Sequence, residues 1–151
     1  MIPRTGADCD LDDLIAMAEE FVAESGHGWT YDPIITKQTY QVYLASPATD
    51  IIVVEDKGVV MGAAMVAAER DFCLETLGYV AKFYIRPAHR GTMAGRMLCE
   101  AITAWFRTHA CWAAFVTATA GVGQDKQFIN LFAKFGWTPC GDTMSWEHGH
   151  G

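Results

Sequence analysis

The sequence predicts a single α/β domain over residues 1–151, and three observations lead there. Tyr79 to Leu98 reads as a β-strand, a turn with two glycines and an apolar helix in direct succession. Two apolar runs, Ile51 to Glu55 and Val59 to Ala68, flank Asp56-Lys57-Gly58 and form a hairpin. Apolar residues elsewhere recur at helical spacing, so helices and strands interleave along the chain.

Taken in order, Ile2 to Arg4 is a weak first strand. Asp10 is placed to cap a helix in which Leu11, Leu14, Ile15, Ala18, Phe21 and Val22 share one face, and Gly26 and Gly28 close it. Thr36 is placed to cap a shorter helix holding Tyr40, Tyr43 and Leu44, ended by Ser46-Pro47. In the second hairpin strand Gly62, Ala63 and Ala64 leave room for close packing. The third long strand runs from Thr76 to Ile85, where Pro87, having no N–H to donate, stops it. The next helix buries Met97, Leu98, Ala101, Ile102, Trp105 and Phe106. Trp112 to Thr119 is a strand, parallel to Thr76–Ile85 if the helix between them is a crossover. Ala120 to Gln124 is a loop, Asp125 to Phe135 a helix, and Thr138 to Trp146 a final strand before a polar tail with His148 and His150.

The turn from Arg90 to Arg96 carries the strongest chemical signal. The first N–H groups of a helix have no partner within it, and its dipole favours negative charge there. Small residues let the backbone close on a phosphate, and Arg90 and Arg96 add positive charge, so the stretch reads as a diphosphate cradle. The run Ile85-x-Pro-x-x-Arg-Gly-x-x-x-Gly-Arg-x-Leu resembles the acyl-CoA signature of the GNAT superfamily of N-acyltransferases, Gln/Arg-x-x-Gly-x-Gly/Ala. Arg90 and Gly95 match its ends, whereas Met93 stands where the middle glycine usually sits. Leu131-Phe132-Ala133-Lys134-Phe135-Gly136-Trp137 is similar to the family's Leu-Tyr-x-Lys-x-Gly-Phe ending. The order of elements agrees with the family nearly from end to end.

The resemblance implies a mixed, mostly antiparallel sheet with helices on both faces, splayed where the pantetheine arm of acetyl-CoA enters. It implies that the backbone of Phe83, Tyr84 and Ile85 meets that arm, and that Arg90, Gly91, Thr92, Met93, Ala94, Gly95 and Arg96 hold the diphosphate. Acetyl transfer to a primary amine of a small molecule or protein, by direct attack in a ternary complex, is the implied reaction; a CoA-binding module without transfer is the alternative. Relatives often carry Glu or His at the place of Tyr79, which can relay a proton, position the amine or simply pack. Glu75 is the nearest upstream carboxylate, a base or a solvated strand-end acid. Phe132 occupies the place of a tyrosine that protonates the leaving thiolate in many relatives. Asp125 matches an asparagine that touches pantetheine, and it is also a natural N-cap. Lys82 points to the acceptor cleft or snorkels to solvent. Trp29, Tyr31 and Tyr40 line that cleft if the first two helices cover it, and otherwise pack as ordinary helix contacts.

Composition bounds the remainder. A formal charge of −7 disfavours duplex nucleic acid and suits an amino-bearing substrate, though acidity also serves solubility. No apolar run approaches a membrane span of about 20 residues. The start of the chain lacks the order of a signal peptide. Five widely spaced cysteines without a Cys-x-x-Cys point to small buried hydrophobes in a reducing interior, hence a cytoplasmic setting and no metal site. Edge strands of such sheets often pair, which would give a homodimer.

Overall fold

The computed structural model describes residues 1–117 and 125–141, with the side chain of Asp125 outside the description. Its strands are β1 (Ile2–Thr5), β2 (Thr49–Asp56), β3 (Val59–Glu69), β4 (Thr76–Ile85) and β5 (Cys111–Val116). Its helices are α1 (Leu11–Ser25), α2 (Pro33–Ala45), α3 (Met93–Thr108) and α4 (Asp125–Ala133). The five strands form one sheet in chain order, antiparallel from β1 to β4 and parallel between β4 and β5. This is the mixed, mostly antiparallel sheet expected, with helices on both faces. The loop at 120–124 and most of the expected last strand lie outside the described residues, and Thr138–Gly141 has no regular structure.

Period-two alternation in the central strands splits the core into two layers. Ile52 and Val54 face α3 and meet Leu98, Ile102 and Phe106. Ile51 and Val53 face the other way and meet Leu14 and Met17 of α1. Both faces are covered, which is why these strands read as unbroken apolar runs. The hairpin turn has Lys57 at φ 53° and Gly58 at φ 83°, the two positive values that a tight two-residue turn requires. A side chain at Gly62 would collide with Ile85, so the close packing expected there is β3 against β4.

Local differences from the sequence reading have physical causes. Asp10 precedes α1 but does not cap it, because Arg4 takes both of its carboxylate oxygens at 2.7 Å and Ala7 N–H donates to one of them at 2.8 Å. Asp32 caps α2 in place of Thr36, accepting from Ile34 and Ile35 N–H at 2.8 and 3.1 Å, with Pro33 opening the helix. The Thr36 hydroxyl instead donates to the Asp32 carbonyl. Of the cysteines only Cys99 is buried, and burial pushes its thiol up to about 12. Cys9, Cys73 and Cys140 are exposed, contrary to the reading as core residues, because they fall in the turn before α1 and in loops. Among the described residues no helix is long and apolar enough to cross a membrane.

The Arg4–Asp10 pair predicts an acid response. Arg4 holds the Asp10 carboxyl below its ordinary range, so the folded state resists protonating it. Its stabilisation is present above the ordinary carboxylate pKa of about 4 and is lost as pH falls through the lowered folded value. Asp10→Asn is expected to cost about 1.5–3 kcal/mol at neutral pH and to flatten the acid limb of a stability–pH curve. Urea melts at neutral and acidic pH check this, and a variant with an unchanged acid limb would refute it.

Candidate functional site

Parallel pairing of β4 with β5 runs only from Thr76–Cys111 to Val80–Val116. Past that point β4 has no partner on this side among the described residues, and a cavity of about 1100 Å³ opens between Ala81–Ile85 and the Gln127–Phe135 stretch. The pairing with β3 passes from Met65–Lys82 to Val66–Val80 and so skips Ala81, which is a β-bulge. A bulge bends its strand and raises its twist. Here it sits where β4 leaves β5.

Backbone direction follows from one bond. Arg86 N–H donates to the Met61 carbonyl at 3.0 Å on the β3 side. Strand groups alternate, so Phe83 and Ile85 turn their N–H and C=O groups away from β3, into the gap. The Ile85 carbonyl is already taken, by Arg90 Nε at 3.0 Å. The N–H and C=O of Phe83 and the N–H of Ile85 remain.

Of the cradle residues Arg90 to Arg96, all but Ala94 line the same cavity as Ala81–Ile85. Gly91 has φ 75°, a conformation that requires glycine here. Thr92 caps α3: its hydroxyl accepts Ala94 N–H at 3.2 Å and donates to the His89 carbonyl at 2.6 Å, and its own N–H reaches the same carbonyl. Of the first N–H groups of α3, those of Met93 and Gly95 are left for a ligand. Met93 is 52% exposed and borders the larger cavity, so a side chain stands where the family pattern has its middle glycine. Gly95 answers to packing: a Cβ there would lie 3.3 Å from Leu131 of α4.

The two arginines differ. Arg96 is exposed on the cavity wall and, among the described residues, has no hydrogen bond or ion pair. Arg90 forks onto Glu24 of α1 at 2.5 and 2.6 Å, and Tyr84 Oη donates to the same carboxylate at 3.0 Å. Arg90 holds the Glu24 carboxyl below its usual range, while desolvation and then Glu24 raise the Tyr84 phenol. Arg86 likewise lies 3.4 Å from Asp13 and 3.3 Å from Glu20. The sequence reading missed these three acids. Their signal was there: Asp13, Glu20 and Glu24 recur at helical spacing beside the apolar stripe of α1. Much of the acidity near the site is thus spent on arginines rather than held ready for a cationic ligand.

A second cavity of about 300 Å³ lies between α1, α2 and the sheet. Trp29, Tyr31 and Tyr40 all line it, and Trp29 also borders the larger one. Tyr31 Oη donates to the Ile15 carbonyl at 2.8 Å, and burial pushes Tyr40 up to about 12, so both are neutral phenols near pH 7. Lys82 borders both cavities, its Nζ 5.8 Å from the Phe21 ring centre. Tyr79 and Glu75 border neither: Tyr79 stacks on Phe115 at 5.9 Å, and Glu75 is exposed ahead of β4. Asp125 begins α4, and its side chain lies outside the described residues.

Phe132 is 3% exposed and borders neither cavity. Its ring packs on Phe83 at 5.3 Å, Phe128 at 4.5 Å and Trp137 at 5.1 Å. A hydroxyl added there enters an aromatic cluster. Phe132→Tyr is therefore expected to lose about 1–3 kcal/mol of stability and to gain no turnover. A thermal melt and a thiol-release assay check it, and faster turnover at unchanged stability would show that the ring edge reaches the reacting sulfur.

Comparison with known proteins bears on the family and the fold. A family model described as the acetyltransferase (GNAT) family covers residues 14–137. No curated protein sequence matches significantly. A mutant form of the Bacillus halodurans protein BH1408 superposes with a TM-score of 0.79 at 18% identity, covering 97% of this chain and 99% of that one. Apo aminoglycoside 6'-N-acetyltransferase AAC(6')-IG of Acinetobacter haemolyticus gives 0.74 at 12% identity, covering 97% of each chain. A predicted acetyltransferase of Clostridium acetobutylicum with acetyl-CoA gives 0.76 at 15%, covering 98% of each. At these identities the likeness is one of fold.

Proposed function

Because the chain belongs to the acetyltransferase (GNAT) family, we propose that it transfers an acetyl group from acetyl-CoA to a primary amine by direct attack in a ternary complex. The observation that carries this is the gap past Val80 and Val116, open along the described part of β4 and closed at one end by the first turn of α3. The pantetheine arm would pair with the N–H and C=O of Phe83 and the N–H of Ile85, as a strand added to the sheet edge. The diphosphate would take the N–H groups of Met93 and Gly95 with the Arg96 guanidinium, while Gly91 and Thr92 shape the turn. Arg90 acts one step back, fixing the Ile85 carbonyl and tying the turn to α1.

Transfer needs a neutral amine aligned on the thioester carbonyl, and alignment alone is worth several kcal/mol. A thiolate with a pKa of about 8.5 can leave without a dedicated acid. A second reading, a CoA-binding module without transfer, is favoured by the enclosed Phe132 and by Tyr79 and Glu75 standing outside both cavities. Release of free thiol from acetyl-CoA across a panel of amines separates the two.

The unequal roles of the arginines make a sharper test. Arg96→Ala is expected to weaken CoA about tenfold or more and to leave phosphate-free pantetheine unaffected. Arg90→Ala is expected to weaken both ligands alike and to lower the melting temperature, because its partner is Glu24. Calorimetry with the two ligands reads this directly; a diphosphate-selective loss in Arg90→Ala would place that guanidinium on the ligand instead.

A further inference from the structure

The two cavities share Phe21, Trp29, Lys82, Phe83 and Tyr84, so the smaller adjoins the larger beside β4. Beyond that junction the smaller cavity is apolar, with Leu14, Met17, Val22 and Ile35 among its walls and the hydroxyl-bearing Thr36 and Thr39 at one side. Among its described lining residues there is no carboxylate, and Lys82 is the one charged side chain. Of the acids on the neighbouring stretch of α1, Glu20 and Glu24 are held by Arg86 and Arg90. Glu19, with Asp32, acts on Tyr31, which borders the smaller cavity alone and not the junction, and Glu19 itself does not line the cavity. The Lys82 ammonium itself has no hydrogen bond or ion pair among the described residues; its one polar contact is the face of Phe21. A cation at the mouth of an apolar pocket attracts an anion and repels a second positive charge.

Resting on the transfer reading above, we propose that the acceptor is a small α-amino carboxylic acid with an apolar side chain. Its carboxylate pairs with Lys82, its side chain enters the smaller cavity, and its amine stays at the junction facing the thioester. An α-amino acid meets this geometry because amine and carboxylate leave the same carbon as the side chain, so both polar groups stay at the mouth. A volume of about 300 Å³ is at the small end for ligand pockets and admits one such side chain, aromatic or aliphatic, with room beside it. Polyamines and other multiply charged amines find no anionic partner in it. In the transfer the amine nitrogen bonds to the acetyl carbon, the carbon–sulfur bond breaks, the thiolate departs with CoA, and the nitrogen's surplus proton passes to water.

The test compares phenylalanine and leucine with phenylalaninamide, leucinamide, isoamylamine and spermidine as acceptors in a thiol-release assay. The free acids are expected to exceed their amides in kcat/KM by about tenfold or more. Lys82→Met brings that ratio close to one, and Lys82→Arg retains it. Calorimetric binding of phenylalanine to the CoA-loaded protein falls in parallel in Lys82→Met. A preference for amides or spermidine, a ratio that Lys82→Met leaves in place, or no phenylalanine binding to CoA-loaded wild type would each overturn the proposal. Turnover of carboxylate-free amines alone sinks this assignment and keeps the transferase reading. Failure to bind CoA at all removes both.

Discussion

The site depends on the place where β4 and β5 stop pairing. Among the described residues the parallel pairing ends at Val80 and Val116, and the backbone donors and acceptors of β4 beyond it must be satisfied by water, a ligand or other chain. The bulge at Ala81 helps turn β4 at this level, and the antiparallel bond from Arg86 to Met61 keeps the far end of β4 on the sheet. The strand is thus rigid on one side and open on the other. That combination is what a linear donor needs, because it can add itself as a strand without first ordering the protein.

A second constraint joins the open edge to the helices opposite. Glu24 receives Arg90 and Tyr84 together, and Arg86 reaches Asp13 and Glu20, so α1 is fastened to both ends of the turn that follows β4. The same bonds pair the acids beside Arg86 and Arg90, and among the described lining residues of the smaller cavity Lys82 is the one charged side chain. Charge in this region is therefore settled by pairing, and the overall acidity of the chain says little about the ligand.

Period and punctuation made most of the fold legible in the sequence. The apolar runs of β2 and β3, the Lys57-Gly58 turn, the glycine that closes α1 and the strand–turn–helix from Tyr79 to Leu98 are local signals, and local signals survive without coordinates. What was not legible rests on long-range competition. Asp10 is a good cap by type, yet Arg4 claims it; Asp32 and Thr36 are both caps by type, and the proline after Asp32 decides between them. Arg90 reads as a phosphate ligand until Glu24, 66 positions away, is seen to hold it. Gly95 reads as a phosphate glycine, and the structure adds a packing reason, since a Cβ there would crowd Leu131. Phe132 aligns with a proton donor, and only packing reveals that it faces other aromatic rings.

The most direct measurement is a titration of ¹⁵N-labelled protein with CoA, following the backbone amides. The largest shifts are predicted at Phe83 and Ile85 in the gap and at Met93 and Gly95 in the first turn of α3, with β1 and the outer face of α2 unmoved. If CoA binds while these four amides keep their positions and the shifts gather elsewhere, the parted strands are not the donor site.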